Sequence, residues 1–523
     1  MIARERYNQL SSSRQQFLDK AVECSELTLP YLIHEATSSK PNHKSLNVPW
    51  QSVGAKCVVT LAAKLMLAIL PPQTTFFKLQ VREDKLGEDF SPEIRSELDL
   101  SFSKMERMIM EYIAASNDRV AIHQALKHLI VGGNALIYMS KDGLKTYPLS
   151  RYVVNRDGNG NVLEIVTKEL ISRKVLDIEL PEPQPNSVVD ETGSDKDDVE
   201  VYTCVKLDKP SGRWIWYQEA FDKIIPNSRS TAPKTASPWL PLRFNTVDGE
   251  DYGRGRVEEF LGDLKSLDGL SQSLIEGAAA ASKVVFLVSP SSTTKPATIA
   301  KAGNGAIVQG RPEDVAVIQV GKTADFSTAA NMSQGIEKRL LEAFLVMNIR
   351  NAERVTAEEV RLTQLELEQQ LGGIFSLLTV EFLIPYLNRT LLVLQRSSEI
   401  PKLPKDIVRP TIVAGVNALG RGQDRESLTA FIGTIAQTLG PEALMQFINP
   451  SEAIKRLAAA QGIDILNLVK TEEQIQEEMQ MAQQAQAQQA LVEQAGQMAG
   501  TPLMDPSKNP QLMEQAEEEP PTE

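Results

Sequence analysis

Residue types that build disulfide frameworks and metal sites are scarce in this sequence. Its 523 residues contain three cysteines and four histidines. Cys24, Cys57 and Cys204 show no paired spacing, which predicts free thiols in a reducing compartment and no structural metal. His123 and His128 are five residues apart, so they point to different sides of a helix rather than towards one ion. The sequence therefore predicts neither disulfides nor a histidine metal centre.

Long apolar runs are also missing. The most membrane-like stretch, residues 57–70, is 14 residues long, contains Lys64 and ends at two prolines. A helix that spans a bilayer needs about 20 apolar residues, so we interpret this stretch as a buried helix and expect no membrane insertion. The opening residues MIARERYNQL contain no apolar run, which predicts that no secretory signal is present.

Motifs for nucleotide chemistry are incomplete. VGKTADF follows the apolar run AVIQV and looks like the end of a phosphate-binding loop, but Ala316 occupies a position where that loop requires glycine. GRGRVE, residues 253–258, lacks the third glycine of a dinucleotide fingerprint. No constellation of nucleophile, base and acid is readable in the sequence. We therefore expect neither enzymatic activity nor a bound cofactor.

Charge is distributed unevenly along the chain. The formal net charge is −13, and residues 471–523 hold 11 acidic side chains against one lysine. The other residues hold 57 acids and 54 bases, so the body is nearly neutral and the tail is acidic. Tight binding of duplex DNA requires a basic patch that neutralises phosphates. The sequence shows no such patch.

The first 250 residues mix helix and strand patterns. Residues 49–70 and 91–117 are predicted to be helical, the second helix opened by Ser91 with Pro92 at its first position. Alternating β-branched and aromatic residues predict strands, with hairpin turns at NRDGNG and DKPSG. These strands are NALIYMS, KTYPLSRYVVN, VLEIVTKELI, VYTCVKL and RWIWYQE. The polar, proline-rich stretch PEPQPNSVVDETGSDKDDVE is predicted to be a loop.

Two long helices are predicted to bracket a small β-module after residue 250. The first is expected to run over roughly 28 residues, and the second to return from 325 to about 347. VVFLVSP and GAIVQGRPEDVAVIQV between them read as strands. Because the apolar faces of the two helices are too long for a single small core, we expect them to pack between neighbouring subunits. Leu264 and Leu340 are expected in that contact.

The stretch NAERVTAEEVRLTQLELEQQLGG, residues 351–373, predicts a charged helix entered through a polar loop. Thr356 and Glu359 form a capping box, so the helix should begin at Ala357. The adjacent glycines Gly372 and Gly373 weaken the helix, and Pro385 should end or kink it. A packed helix with a solvated charged face is the simplest interpretation of this stretch.

Several strings together resemble one family, the portal or head-to-tail connector proteins of T7-like podoviruses. These strings are DGEDYGRGRVEEFLGDLKSLDGL, GRPEDV, ADF, ERVTAEEVR, ELEQQLGGIFSLL and GRGQD. The resemblance covers essentially the whole chain. It implies an α+β fold, mainly α, that assembles as a ring of about a dozen copies around a central channel.

The resemblance also implies a division of the chain. It gives a mixed α/β wing (1–250), a first stem helix (251–283), a clip (284–324), a second stem helix (325–350), a tunnel loop with a long kinked wing helix (351–400), a helical crown (401–470) and an acidic tail (471–523). Residues 351–356 are the tunnel loop itself. The role of the tail is the least defined by the resemblance.

Candidate functional residues follow from this division. The tunnel loop and the adjacent helix place Arg350, Asn351, Arg354, Thr356 and Arg361 near the DNA channel. The arginines lie close to glutamates in sequence, so intersubunit salt bridges and transient DNA contacts are equally compatible with them. Gly372, Gly373 and Pro385 are candidate hinges. The candidate docking residues of the clip are Lys295, Lys301, Arg311, Glu313 and Asp314.

The implied function is a portal ring at one capsid vertex, through which the viral genome is packaged and ejected. The implied partners are double-stranded viral DNA, the terminase motor, a tail adaptor or tubular protein, the major capsid and scaffold proteins, and internal core proteins. The implied location is the virion, after assembly in the host bacterial cytoplasm. A capsid or scaffold-type assembly protein without DNA contact is the alternative. A nucleotide-dependent motor subunit is a third possibility, disfavoured by the incomplete phosphate loop.

Overall fold

A computed structural model of the chain describes most of its first 400 residues and little beyond them. The described ranges are 2–34, 46–71, 75–81, 92–141, 143–172, 198–282, 285–291, 295–303, 315–318, 323–346, 372–398, 400–401, 408–412, 431–435 and 437–438, with single positions at 176, 307, 309, 311 and 313. Internal contacts divide the chain into two units, Met1–Ala418 and Leu419–Glu523. In the second unit, the described residues 431–435 and 437–438 are helical.

Four helices form the centre of the first unit. The core-side ends of two later helices, described below, pack with them. The four central helices are α1 (Ala3–Glu26), α2 (Val53–Ile69), α3 (Pro92–Ala115) and α4 (Asp118–Gly132). α4 packs against both α1 and α2. Its end is closed by Gly133, whose φ of 72° lies in the left-handed region. A Cβ at Gly133 would also lie within 2.6 Å of three backbone atoms of residues 253–255, so a side chain is excluded there.

Two antiparallel sheets flank these helices. Strand β1 (Phe77–Val81) lies outside these two sheets, whose strands are β2 (Asn134–Ser140), β3 (Gly143–Tyr147), β4 (Tyr152–Arg156), β5 (Val162–Ser172), β6 (Asp198–Asp208), β7 (Arg213–Ala220), β8 (Lys223–Ile224), β9 (Ser230–Pro233) and β10 (Trp239–Arg243). One sheet has the order β10-β2-β3, and the larger runs β4-β5-β6-β7-β8 with β9 also paired to β7. Tyr138 stacks on Trp239 across the first sheet, with ring centroids 4.0 Å apart.

The second half of the unit adds a helix pair with a small β-module. The elements are α5 (Arg256–Glu259), α6 (Leu261–Ser282), β11 (Val285–Val288), α7 (Pro296–Lys301), β12 (Val315–Ile318) and α8 (Thr323–Ala343). β11 and β12 pair antiparallel, from Val285 opposite Ile318 to Val288 opposite Val315. α6 and α8 pack against each other, and α8 also packs against α2. Their bases therefore belong to the central core.

A last helix, α9, runs over Gly372–Arg396 and contains a π-helical turn at Thr379–Leu383. Among the described residues it is the one helix long and apolar enough to span a bilayer by length and composition. Its inner face, which includes Phe382, Tyr386 and Leu387, is buried in the core of the chain. After it, strand β13 (Val408–Ile412) returns to pair antiparallel with β1.

Most of the predicted elements are present at the predicted places. The strand NALIYMS coincides with β2, and the NRDGNG turn joins β4 to β5. The Asp157 carboxylate accepts hydrogen bonds from the backbone N–H groups of Asn159 and Asn161 and so closes that turn. The two helices at residues 49–70 and 91–117 appear as α2 and α3. The Pro-rich stretch before β6 lies almost wholly outside the described residues, as does the Thr356–Glu359 capping box.

Two expectations about local structure are wrong. KTYPLSRYVVN is two strands in different sheets, because Pro148 and a 3-10 turn at Leu149–Arg151 separate β3 from β4. The first long helix is broken at Phe260 into α5 and α6. Strand β13 lies within residues 401–470, which the resemblance assigns to the crown.

The expected packing of the two long helices between subunits is also wrong at their bases. Leu264 and Leu340 are 1% and 0% exposed within the single chain. Both belong to the main hydrophobic cluster, together with residues from α1, α2, α4 and α9. The apolar faces are long because the lower half of each helix enters the core of its own chain.

The buried histidine of α4 gives the core a pH dependence. Burial lowers the pKa of His128 to about 4, with a smaller contribution from His34. Because the folded state favours the neutral imidazole, this contribution to stability is complete above the unfolded pKa of about 6.5 and is lost as the pH falls towards 4. We expect wild-type protein to lose about 2 kcal/mol of unfolding free energy from this group between pH 7 and pH 5.

Urea unfolding at the two pH values measures this loss, with His128→Gln as the variant that removes the titrating group. His123→Gln, on the same helix but only half-buried, is the matched control and should keep most of the pH dependence. A His128→Gln protein as sensitive to acid as wild type would contradict the assignment.

Candidate functional site

The helix pair α6 and α8, with the β-module at its tip, is the candidate site. The part of the pair on the core side of Leu270 is its base. The inner face of this base is buried, and polar contacts there add to the packing. The Arg339 guanidinium lies 2.9 Å from Asp263 on the other helix. The Arg256 guanidinium donates to the backbone carbonyl of Ala343, at 3.2 Å. These contacts hold the two helices together where they leave the core.

Contacts between the helix base and the N-terminal part of the chain were not predicted from the sequence. Lys265 on α6 forms an ion pair with Glu23 on α1. The Lys20 and Lys265 ammonium groups hold the pKa of the Glu23 carboxyl below its usual range. The backbone N–H of Trp50 donates to the Asp268 carboxylate at 2.7 Å. Sequence separations of more than 200 residues leave no local pattern that would reveal these pairs.

Beyond the base, the two helices are exposed and close together. Side chains on α6 from Ser273 to Ala280 are exposed or half-buried. A Cβ on Gly277 would lie 2.3 Å from the ring of Phe326 on α8. Glycine at this position is therefore what lets the aromatic ring pack against the helix backbone.

The outer halves of both helices carry few charges and no bases. Residues 266–282 contain no lysine or arginine, and neither do residues 323–337. Between residues 269 and 282 the one charged side chain is Glu276, and between 323 and 336 it is Asp325. The remaining positions are mostly small or uncharged polar residues. These outer halves therefore offer no cationic side chain to a phosphate backbone.

The tip of the pair holds the candidate docking residues of the clip. Lys295 precedes the short helix α7 and Lys301 is its last residue; both are exposed, as are Arg311 and Glu313. Asp314 lies outside the described residues. The exposed apolar side chains Leu287 and Ile307 lie in the same module, 51% and 103% exposed. The module therefore presents both charged and apolar groups to solvent.

The candidate channel residues of the tunnel loop cannot be placed. Arg350, Asn351, Arg354, Thr356 and Arg361 all lie outside the described residues. Their roles stay predictions from the resemblance.

The candidate hinges lie within α9. Gly372 and Gly373 form its first described turn, and a Cβ on either would meet no heavy atom within 4 Å. Pro385 does not end the helix, which continues to Arg396. Instead the chain widens into a π-helical turn over Thr379–Leu383, where the Ile384 N–H bonds five residues back to the Thr379 carbonyl. The wider turn makes room for the proline ring, which would clash with the preceding turn of an α-helix.

The π-helical turn carries a carboxylate that accepts three hydrogen bonds from one arginine. Glu381 accepts hydrogen bonds from the backbone N–H, Nε and Nη2 of Arg243 in β10, at 2.9, 2.9 and 2.6 Å. The guanidinium of Arg156 in β4 lies 3.7 Å away. Burial lowers the pKa of Arg156, while Glu381 opposes that effect. One side chain thus joins α9 to strands of both large sheets.

The part of the chain that the structure describes contains no candidate metal site. Among those residues no group of three or more His, Cys, Asp and Glu side chains is placed to hold a metal ion. Burial raises the pKa of the Cys24 and Cys57 thiols to about 12 and also raises that of Cys204. All three thiols are buried and free.

Comparison with known proteins identifies the family. The family model described as "Bacteriophage head to tail connecting protein" matches residues 2–466. The portal protein of Escherichia phage T7 is 39% identical over 488 residues, covering 91% of this chain and 90% of that protein. The portal protein of Enterobacteria phage T3 is 40% identical over 484 residues, covering 91% and 89%. That of Enterobacteria phage SP6 is 31% identical over 494 residues, covering 92% of both.

The chain belongs to the family of bacteriophage head-to-tail connecting proteins, the portal proteins. The resemblance drawn from the sequence strings is thereby confirmed, and so is the connector function that it implied. A solved gene transfer agent neck also aligns, at 12% identity over 78% of this chain and 89% of that one, but its TM-score of 0.36 is too low to support an argument.

The close approach at Gly277 predicts how the helix pair responds to added side chains. Gly277→Ala must displace the Phe326 ring, so the gain in helix propensity, about 1 kcal/mol for glycine to alanine, is offset by lost packing. A Cβ on Gly269 of the same helix would meet no heavy atom within 4 Å, and Gly269→Ala should raise stability by about 0.5–1 kcal/mol. Thermal unfolding of the two variants measures the contrast. Equal stabilisation by both would show that Phe326 does not depend on Gly277.

The Glu381 cluster predicts a second contrast. Glu381→Ala leaves the Arg243 guanidinium, 10% exposed, without its carboxylate and should cost about 3 kcal/mol of unfolding free energy. Glu111→Ala removes the exposed pair with Arg107, whose side chains are 68% and 72% exposed, and should have no measurable effect. Urea unfolding compares the two proteins. A Glu381→Ala protein as stable as the Glu111→Ala protein would mean that the cluster does not fasten α9.

Proposed function

We propose that copies of this chain form a ring of about a dozen subunits at one capsid vertex, with α6 and α8 lining a channel for duplex DNA. Two lines of support meet in this proposal. The chain matches portal proteins over about nine tenths of its length. The outer halves of α6 and α8 also form an exposed surface free of lysine and arginine. That surface is the observation that carries the proposal.

A channel must let DNA slide without holding it. Each phosphate neutralised by a fixed cation releases counterions and adds to affinity, so that log K falls with log salt at a slope of about 0.9 per contact. A ring multiplies every residue of its lining by the number of subunits. One base per subunit would therefore make a belt of about a dozen cations, whereas the exposed Glu276 makes a belt of anions.

The tunnel loop is proposed as the narrowest part of that channel. Arg350, Arg354 and Arg361 supply positive charge there, each within three residues of a glutamate that limits the net field. Intersubunit salt bridges and transient DNA contacts both fit these arginines, in different states of the channel. Asn351 and Thr356 shape the entry to the following helix.

The hinge assignment places bending within α9. Gly372 and Gly373 are helical without packing around their Cα atoms, so a change of conformation there displaces no neighbour. The π-helical turn before Pro385 already departs from regular helix. The part of α9 between the two glycines and the π-helical turn can therefore bend when the channel changes width. Glu381, within that turn, keeps the following part of α9 attached to the sheets.

The clip is proposed as the docking platform, first for the terminase motor and then for the tail adaptor or tubular protein. It carries the exposed charges Lys295, Lys301, Arg311 and Glu313, and Asp314 completes the predicted set. Residues 401–470 are proposed as the crown facing the capsid interior, near internal core proteins, with the acidic tail beyond it. The major capsid and scaffold proteins are the proposed partners around the ring, which is assembled in the host cytoplasm and resides in the virion.

A capsid or scaffold-type protein that never contacts DNA is not favoured, because the relatives are named portal proteins. A motor subunit is disfavoured by the incomplete phosphate loop around Ala316, a residue of strand β12. We propose that the chain has no enzymatic activity and needs no cofactor.

Electron microscopy of the purified protein tests the ring. Class averages should show closed rings with a central channel about as wide as a DNA duplex. Filaments, shells or monomers alone would contradict the proposal. Measurable ATP hydrolysis by the same preparation would favour the motor instead.

The absence of bases on the helix surface predicts how purified rings respond to charge. Ser273→Arg with Gln334→Arg adds two bases per subunit at exposed positions of α6 and α8. These rings should bind duplex DNA more tightly than wild type, with a steeper dependence of log K on log salt. Ser273→Gln with Gln334→Ala is the uncharged control and should behave as wild type. Identical salt slopes in all three proteins would place this surface away from the DNA.

A further inference from the structure

Helix α8 ends in a turn whose central residue has a backbone conformation that suits glycine. Leu345 has a φ of 58°, in the left-handed region where a Cβ lies too close to the following carbonyl oxygen. Its N–H bonds to the Glu342 carbonyl at 3.0 Å, and the N–H of Val346 bonds to the Leu341 carbonyl at 2.7 Å. This pair of bonds defines a Schellman motif, in which the left-handed position is usually glycine. Residues 341–346 are called the α8 end turn below.

Contacts outside the turn must hold a leucine in this conformation, because strained backbone persists only where the surrounding structure fixes it. The Leu345 side chain is 8% exposed and belongs to the main hydrophobic cluster, as does that of Val346. Burial of the two side chains supplies part of the stabilisation. Packing alone does not fix the direction of the Leu345 carbonyl, however, and a second contact acts on that group.

Side chains of two other helices bond to carbonyls at the end of α8. Lys64 of α2 donates to the Leu345 carbonyl at 2.5 Å, and Arg256 of α5 donates to the Ala343 carbonyl at 3.2 Å. The last turn of α8 contains no basic residue of its own. Because the helix dipole favours cations near a C-terminus, both groups stabilise an end of α8 at this position.

Lys64 is placed to act on this turn. It is half-buried on α2, and burial lowers the pKa of its ammonium group. Cys57, seven residues earlier on the same face of α2, donates its thiol to the Leu340 carbonyl at 3.8 Å. α2 therefore lies along the end of α8, and Lys64 is the α2 side chain that reaches the left-handed residue.

We propose that the α8 end turn is a conformational switch, which Lys64 holds in its left-handed state. In the other state Leu345 adopts right-handed helical angles, its N–H bonds to the Leu341 carbonyl, and α8 is longer. The Leu345 carbonyl then points along the helix axis instead of towards Lys64. Leucine prefers the second state intrinsically, so the bond from Lys64 decides the balance.

The position of the switch gives it a consequence for the channel, and this consequence alone rests on the proposed function. Residues 351–356, which the resemblance assigns to the tunnel loop, begin five residues after Val346. The conformation of Leu345 sets the direction in which the chain leaves α8. Through Lys64, α2 therefore acts on the start of the segment that leads to the tunnel loop.

Methyl NMR of the full-length protein, labelled at valine methyl groups, measures the two states through Val346. Its buried methyl groups change surroundings when the turn changes conformation, and wild-type protein should show one set of Val346 signals. Lys64→Met removes the ammonium group but keeps an unbranched side chain. Loss of a charged hydrogen bond should raise the population of the other state about tenfold or more, so a second set of signals should appear. A single set at the wild-type positions would overturn the proposal.

Two further variants distinguish a switch from general loosening of the core. Leu345→Gly removes the Cβ penalty of the left-handed state, so Lys64→Met combined with Leu345→Gly should return to one set of Val346 signals. A second set that persists in the double variant would overturn the proposal. Lys338→Met is the control, since it removes a lysine of α8 itself that is 79% exposed. Its Val346 signals should match those of wild type, and a second set in that protein would overturn the role of Lys64.

Thermal unfolding tests the turn independently, should Lys64→Met protein fail to fold. Leu345→Gly and Leu345→Ala both remove most of the buried side chain, but only glycine enters the left-handed region without penalty. Leu345→Gly protein should therefore melt about 2 °C or more above Leu345→Ala protein. The order in a helix interior is the opposite. Equal melting temperatures, or a lower one for Leu345→Gly, would overturn the proposal.

The switch and the proposed function fail in different ways. If the Val346 signals and the melting temperatures follow the expectation but wild-type protein forms no rings, the switch stands and the proposed function is contradicted. If rings form and Lys64→Met leaves Val346 unchanged, the ring stands and Lys64 does not control the end of α8.

Discussion

The packing of the bases of α6 and α8 into the core of their own chain is the contact on which the rest of the molecule depends. Leu264 and Leu340 are fully buried there, and the ion pair of Arg339 with Asp263 joins the two helices beside them. Because each helix is anchored within one subunit, its outer half is free to serve a surface role. That half needs no apolar face towards a core and can be small, polar and nearly uncharged.

Charged side chains are common in contacts between elements of the subunit and rare on the outer halves of α6 and α8. Ion pairs connect elements that are distant in sequence: Glu381 joins α9 to β10 and β4, and Glu23 joins α1 to α6. Charged groups are nearly absent from the outer surface of α6 and α8, which we propose lines the DNA channel. On α2 the ammonium group of Lys64 donates to the backbone carbonyl of Leu345 and so joins that helix to the end of α8. Electrostatic attraction therefore stabilises the subunit, and the proposed channel surface is nearly free of it.

The sequence predicted local elements well and their partners poorly. β2 and the β4–β5 hairpin were readable because alternation and turn residues are local signals. Leu264 and Leu340 were assigned to a subunit contact because periodicity shows that a face is buried but not by what. The Arg243–Glu381 pair spans 138 residues and the strand pair β1–β13 more than 300, so no local pattern could show them. Family strings supplied the connector function, which residue chemistry alone left open.

The most direct test of the central claim is DNA cleavage from a reagent placed on the helix surface. An iron chelate attached to Ser273→Cys protein, in particles arrested during packaging, should cut the DNA held in the channel. The three native thiols are buried, so the chelate marks that position alone. The same chelate on Lys209→Cys protein, at the exposed tip of the β6–β7 hairpin, should leave the DNA intact. Cleavage from position 273 and not from 209 is the result expected of a channel lined by α6 and α8; no cleavage from 273, or equal cleavage from both positions, would contradict it.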